Sequence, residues 1–438
     1  MRVRIPRWSC WFVAALATAC ATPPGNQTPY PSPSSVKGLQ VQMVDDALAL
    51  GIRHAGINCN LGQLMPAGGT ANVIAFEHEG AVHRFDRGYV EHLDAQIAPL
   101  SQQGVVVSLI LLSIATGDPA RDAVLLHPRY DPAAPNRMGA QNTATEAGRR
   151  WLDAAIRFLA HRWSDPASPH GTVWNWIVGN EVNSHWWWWN MGRASMEEVA
   201  AAYGDAVRIV HGAVRSASAH ARVFVSLEHH WTIRYAAGDD QQAFAGRDFL
   251  LHFARHVRAG GDFDWHVAFH PYPEDLFRCR FWEDRTAPDR DDAPRVTFRN
   301  LPVLARFLAQ DPLLHDGAPR RVILSEQGFH RTDGPEGERD QAAAFAAAWV
   351  AVAQQPWIDA FILHRHVDHA HEGGLRLGLW TRKDDTICTP DHPTRMYEVF
   401  RDCDTAQSDE ALRIALPVLG IDDWSQLGAR LGHREPQR

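Results

Sequence analysis

The chain has 438 residues, 45% hydrophobic and 21% charged, a composition that supports a sizeable core and excludes a disordered or fibrous protein. Its formal net charge is -8, from 43 Lys and Arg against 51 Asp and Glu, and no basic block stands out, so nucleic acid is not an expected partner. The 17 tryptophans and 24 histidines are the outliers, since flat aromatic surfaces that stack on ligands use more Trp than a core requires.

At the N-terminus, Arg2, Arg4 and Arg7 precede an apolar run over residues 11–17 that is too short to span a bilayer. Small residues then lead to Cys20, and the order reads as an export signal over residues 1–19. The segment LATAC resembles a bacterial lipoprotein cleavage box with Cys20 as its acylated first residue, although Ala17 rather than leucine stands three before the cysteine. The expected location is outside the cytoplasm, with the protein held to a membrane only through a lipid on Cys20 or otherwise released. Residues 20–36 are rich in Pro, Ser and Thr and read as a tether with nothing to pack. No later segment approaches the roughly 18 apolar residues that a membrane span needs. Cys59, Cys279, Cys388 and Cys403 lie far apart with no CxxC, which excludes zinc-ribbon and dithiol redox motifs. Export permits a disulfide, and Cys279 with Cys388, both in expected loops, is the candidate pair.

From residue 37 onward, short apolar runs alternate with helical patterns. The runs cover residues 52–61, 105–112, 173–181, 222–229, 265–272, 321–328 and 360–368, and such near-continuous apolar stretches suit strands buried on both faces. Helical periodicity fills residues 89–103, 146–163, 196–217, 248–259, 301–308 and 340–355. Seven strands alternating with helices predict an α/β fold, a (β/α)8 TIM barrel forming a single domain over residues 37–438 with long βα loops. The missing first strand must precede a helix at residues 41–50 and falls near residues 34–39. The alternative, a doubly wound open sheet, usually shows a Gly-rich phosphate loop after its first strand, and none is present.

Barrel enzymes carry reactive groups at the C-terminal ends of their strands. There the sequence reads Gly179-Asn180-Glu181 on strand four, Glu228-His229-His230-Trp231 on strand five, His270-Pro271-Tyr272 on strand six and Ser325-Glu326-Gln327-Gly328 on strand seven. Two glutamates facing one another suit glycosidic bond cleavage, because one must donate a proton while the other, ionised, attacks the anomeric carbon. Tyr272 is placed to hydrogen-bond Glu326 and keep it ionised. The motifs GNE, HPY and SEQG, in this order, resemble clan A glycoside hydrolases, which are retaining (β/α)8 enzymes. That resemblance implies Glu181 as acid/base, Glu326 as nucleophile and Asn180 on the sugar 2-hydroxyl. The stretches NEVNSHWWWWNMG and GLRLGLW resemble more closely a bacterial family of unknown function placed in the same clan, over most of residues 37–400. Two departures from the clan stand out: strand two ends in Asn58 and Asn60 without an arginine, and Trp380 lies in a loop after strand eight rather than within it.

Four adjacent tryptophans, Trp186 to Trp189, cannot all face inward, and Trp186 and Trp187 are expected to stack on sugar along with Trp231 and Trp380. His229, His270, His364 and Asn58 complete the expected cleft. His364, His366 and Asp368 share a face if strand eight runs through them; with His369 and His371 they read as hydrogen-bonding cleft residues rather than metal ligands. Arg365 and Arg376 read as members of buried ion pairs. The expected activity is retaining hydrolysis of an oligo- or polysaccharide, with no metal or cofactor required and no oligomeric state indicated. Two other functions compete with it. One is a non-catalytic glycan-binding envelope lipoprotein; the other is a metal-dependent amidohydrolase, which would need a His-x-His pair that the first strand lacks.

Overall fold

The computed structural model describes residues 25–68 and 72–433; the expected export signal and Cys20 lie outside them. Eight parallel strands close into a ring: β1 (Lys37–Gln40), β2 (His54–Asn60), β3 (Val106–Ile114), β4 (Val173–Val178), β5 (Arg222–Glu228), β6 (Trp265–His270), β7 (Val322–Leu324) and β8 (Ile358–Leu363). Each pairs with the next, and β8 pairs back to β1 through Lys37↔Phe361 and Leu39↔Leu363. The helices that follow them are α1 (Val44–Ala49), α2 (Arg87–Gln102), α3 (Glu146–Arg162), α4 (Met196–Ala217), α5 (Gly246–Ala259), α6 (Pro302–Leu308), α7 (Gly334–Ala353) and α8 (Arg395–Asp402). This is a (β/α)8 barrel.

The two-residue period of a strand explains both layers of the core. In β3, Val107, Leu109 and Leu111 face the helices, whereas Ile110 and Leu112 join Ile177, Phe224, Ala268, Ile323, Ala360 and Ile362 inside the barrel. Among the described residues, no helix is long and apolar enough to cross a membrane.

Four features differ from the sequence expectation. The first strand starts at Lys37, not 34, because residues 25–36 are used elsewhere. The eighth ends at Leu363: beyond it Asp368 donates its N–H to the carbonyl of Trp380 and Trp380 donates to that of His366, so residues 366–368 pair with a neighbouring loop. A hairpin of Val73–His78 and Ala81–Asp86 fills the loop after β2, turning through Glu79 and Gly80, both at positive φ. Cys279 and Cys388 are both free thiols, the first buried, so the expected disulfide is not formed.

Residues 25–36 of the Pro- and Ser-rich segment pack against the barrel. Asn26 donates to the carbonyl of Ala217 and accepts from the N–H of Ala219, where α4 leads into β5. Tyr30 closes the N-terminal end of the barrel: its hydroxyl donates to Asn175 Oδ1 (2.9 Å), and the Arg222 guanidinium lies 3.6 Å from its ring centroid. Asp359 binds Arg222 (2.9 Å) and also Arg321, so two buried-end arginines share one carboxylate. Burial pushes the Tyr30 hydroxyl up to about 12, so it remains a donor at all ordinary pH. Tyr30→Ala is expected to lower unfolding stability by about 2–3 kcal/mol, and Tyr30→Phe by about 1 kcal/mol. Thermal or urea unfolding of the two variants checks this; a free tether would give no change in either.

Candidate active site

The chain leaves β4 through an unusual backbone. Gly179 has φ +68°, and a Cβ there would meet Trp189 Cδ1 at 2.6 Å, so only glycine fits. Glu181 follows in the left-handed region at φ 41°, ψ 50°, a conformation that costs a non-glycine residue about 1 kcal/mol. Its N–H donates to Ser226 Oγ of β5 (3.0 Å), which helps hold it there. The Glu181 side chain consequently turns into the barrel mouth.

Glu326 reaches the same point from the end of β7. One oxygen of Glu181, one of Glu326 and a ring nitrogen of His270 all lie within 4.8 Å of one another. His270 Nδ1 is 2.9 Å from Glu181 Oε1, and its Nε2 is 3.0 Å from Ser325 Oγ, so the imidazole bridges β4 and β7 from β6. Among the described residues no hydrogen bond reaches Glu181 Oε2. The Tyr272 hydroxyl donates to Glu326 Oε1 (3.2 Å). Burial raises the Glu181 carboxyl above its ordinary value, and the nearby charges of Glu326 and Glu228 add to this against the opposing pull of His270. Burial works against the His270 imidazolium, but the Glu181 contact and the Glu326 charge outweigh it and raise its pKa. Each group's affinity for a proton is thus raised, and the 2.9 Å contact between His270 Nδ1 and Glu181 Oε1 couples the two.

A third carboxylate organises the surrounding loops. Glu228, at the end of β5, accepts from Asn183 Nδ2 (2.6 Å), Ser184 Oγ (2.9 Å), the His230 N–H (2.8 Å) and His230 Nδ1 (2.6 Å). Burial alone would raise its carboxyl, but the His230 and His229 imidazoles and these donors hold it down at about 2. His229 donates Nδ1–H to the Tyr272 carbonyl (3.0 Å), which leaves Nε2 as a lone-pair acceptor. Burial pushes His229 down to about 4, so it is neutral near neutral pH.

Glu181, Glu228, Glu326, Tyr272, His229 and His230 line a cleft of about 390 Å³ together with Ser184, Trp188, Tyr235, Leu276, Phe277, His364 and Glu372, whereas His270 is buried and acts on the cleft only through Glu181. The other expected residues lie elsewhere. Trp186 and Trp187 are half-buried outside the cleft, Trp187 with its ring edge-on to Tyr235 (4.7 Å). Trp189 is buried against Tyr203. The physical reason is the short helix His185–Trp188: successive residues turn by about 100°, so adjacent rings point in different directions and one, Trp188, reaches the cleft. Trp231 is fully buried between Phe269 and Phe307, which excludes sugar contact. Trp380 donates Nε1–H to Asp46 Oδ2 (3.0 Å) and does not line the cleft. Asn180 is buried, and Asn58 is exposed beside Gln40; neither lines the cleft.

The three groups at the end of strand eight do not share a face. His364 lines the cleft and contacts Gln40 and Glu372, His366 binds Asp46 (2.8 Å), and Asp368 forms a buried pair with Arg331 (2.5 Å). Arg365 pairs with Glu372 and Arg376 with Asp333, the latter at the surface rather than buried. Glu372, held at about 2 by His364 and Arg365 against its burial, had no strand-end signal in the sequence. Trp188 and Glu228 were visible in the motifs, but only the fold distinguishes Trp188 from its neighbours and brings Glu228 into contact with the strand-four loop.

Glu228, His229 and His230 also approach one another within 4.8 Å, as metal ligands would. Both nitrogens of His230 are already engaged, Nδ1 by Glu228 and Nε2 by Arg295 (3.3 Å), so the set as arranged has no room for a cation. At the hairpin, His78 and Asp153 are paired at 2.6 Å, and Arg157 occupies the same carboxylate oxygen (2.8 Å).

Because Glu228 sits at about 2 against an ordinary 4.5, its stabilisation is fully present above pH 4.5 and is lost as pH falls toward 2. Glu228→Gln is expected to cost about 2–3 kcal/mol at pH 7 and to flatten stability against pH between about 4.5 and 2. Urea unfolding across that range tests both effects.

A family model described as Family of unknown function (DUF5722) matches residues 29–427. No curated protein sequence matches the chain. Among solved structures it is similar to a family 39 glycoside hydrolase from the gut symbiont Bacteroides cellulosilyticus WH2, at 15% identity and TM-score 0.51, over 84% of this chain and 60% of that chain. The chain therefore spans less than two thirds of that enzyme's length. It is also similar to a hyperthermophilic beta-glucosidase from Pyrococcus furiosus, at 15% identity and TM-score 0.50, over 85% of each chain. At these identities the likeness establishes a shared barrel fold. By its match over nearly its whole length, the chain belongs to the Family of unknown function (DUF5722), built on a glycosidase-like (β/α)8 barrel.

Proposed function

We propose that the protein is a retaining glycoside hydrolase acting on an oligo- or polysaccharide, with Glu181 as acid/base and Glu326 as nucleophile. The observation that carries this reading is the separation of the two carboxylates, an oxygen of each lying within 4.8 Å of the other. Direct attack needs about 5–5.5 Å between carboxyl groups, whereas an interposed water needs about 6.5–9.5 Å.

The surrounding groups give the two glutamates opposite tasks. Glu181, whose affinity for a proton burial raises, donates a carboxylic proton to the glycosidic oxygen as the bond to the anomeric carbon breaks. Glu326 attacks that carbon from the other face and forms a glycosyl ester, with the Tyr272 hydroxyl orienting its Oε1. Glu181, now ionised, takes a proton from water, and the resulting attack releases the sugar and restores Glu326. His270 fixes the Glu181 carboxyl and sets how readily it reprotonates.

Glu181→Gln and Glu326→Gln are each expected to lower kcat by about 10²–10⁴-fold or more. Proton NMR of the first-formed product of wild-type turnover on a polysaccharide panel is expected to show the anomer of the substrate; an inverted product would overturn the double displacement. Turnover unchanged in both variants, with glycan binding kept, would instead assign the protein to non-catalytic glycan binding. In His270→Ala the carboxyl of Glu181 loses the group that lowers its pKa, so the alkaline limb of the kcat/KM profile is expected at higher pH than in wild type. A limb that moves down would contradict the acid role of Glu181.

A further inference from the structure

Exposed large apolar side chains are unevenly placed on this protein. Six stand out among the described residues, and four of them, Ile233, Tyr235, Leu276 and Phe277, lie on the loops after β5 and β6. Tyr235, Leu276 and Phe277 line the cleft, and such clustering marks a surface that meets a ligand. Phe277, 49% exposed, also lines a second cavity of about 520 Å³. Its ring is held in place by the His330 ring, edge-on at 5.1 Å, and His330 belongs to that second cavity. Phe277 is thus a shared wall between the two spaces, with part of its surface open.

The second cavity offers polar groups to a sugar: Glu274, Glu283, Asp284 and Thr332 line it, and such side chains pair with hydroxyl groups. In the cleft the charge is one-sided: Glu181, Glu228, Glu326 and Glu372 line it, and no Lys or Arg does, whereas in the second cavity Arg278 and Arg280 are tied to Asp275 and Asp340 and Arg285 lies among further carboxylates. An anionic sugar in the cleft would face carboxylates with no cation to receive it.

We propose that the substrate is an uncharged oligosaccharide that runs from the Glu181–Glu326 cleft across the Phe277 ring into the neighbouring cavity at Asp284. The proposal rests on the glycosidase reading of the cleft and adds substrate length, direction and charge. One sugar occupies the cleft, a following unit lays its apolar C–H face on Phe277, and the next reaches Asp284.

Binding, rather than turnover, tests it. Glu326→Gln protein is titrated calorimetrically with the dimers and hexamers of the cello-, xylo-, manno-, laminari- and chito-oligosaccharide series, and with hexamers of galacturonic and mannuronic acid. At least one neutral hexamer is expected to bind about tenfold more tightly than its dimer. Adding Phe277→Ala is expected to weaken the hexamer about tenfold, and Phe277→Tyr is expected to restore its affinity. Equal affinity of hexamer and dimer, a hexamer affinity that Phe277→Ala leaves unchanged, tighter binding of an acidic hexamer, or no binding by any neutral series would overturn the proposal. Since no bond is cleaved in these titrations, their outcome is independent of whether Glu181 and Glu326 perform the chemistry.

Discussion

The site depends on the buried carboxylate of Glu228. It is the point where the loop after β4, through Asn183 and Ser184, is fastened to the loop after β5, through His230. The fastening is reciprocal, because Asn183 Oδ1 accepts the Glu228 N–H (3.0 Å). A buried charge with this many donors is stable only while all of them are present, so the loops are fixed together or not at all. The left-handed backbone of Glu181 lies two residues before Asn183. Its strain is sustained by that anchor on one side and by the Ser226 hydroxyl on the other.

The barrel treats its two ends differently. At the N-terminal end opposite charges meet: Asp359 takes both Arg222 and Arg321, and the Tyr30 ring lies against the Arg222 guanidinium. At the C-terminal end carboxylates crowd together with only imidazoles lining the cleft beside them, and Arg365 approaches one of them, Glu372, from outside the lining. Burial, and then the like charges of Glu326 and Glu228, raise the affinity of Glu181 for a proton, and Glu181 is the more buried of the opposed pair.

The barrel itself was readable because its strands are continuous apolar runs and its helices carry a clear 3.6 period. The strand ends were readable too, since Gly179 and the segment after Leu324 announce where the chain leaves the sheet. The tryptophans were not, because four identical neighbours give no clue to which faces the cleft until a short helix sets their angles. Trp231 shows the same limit: it follows a strand-end motif directly, yet its side chain turns back among Phe269 and Phe307. Residues 366–368 misled for another reason, as the alternation continues past the strand but pairs with residues 378–380 instead of the barrel. The hairpin at Val73–Asp86 did carry a signal, an alternating pattern broken by Glu79-Gly80, within a loop where no barrel strand was expected. Glu372 carried none, because only the folded loop brings it to His364.

The seated segment from Gly25 to Val36 gives the molecule a direction. Asn26 is held where α4 runs into β5, on the rim where the strands begin, and Tyr30 crosses that rim before β1 starts. The Glu181–Glu326 cleft opens at the other rim, where the strands finish. Asn26 and Tyr30 therefore lie at the back of the barrel, and the whole body stands between them and the cleft. The two rims thus have separate tasks, one closed by the N-terminal segment and the other left open for the cleft.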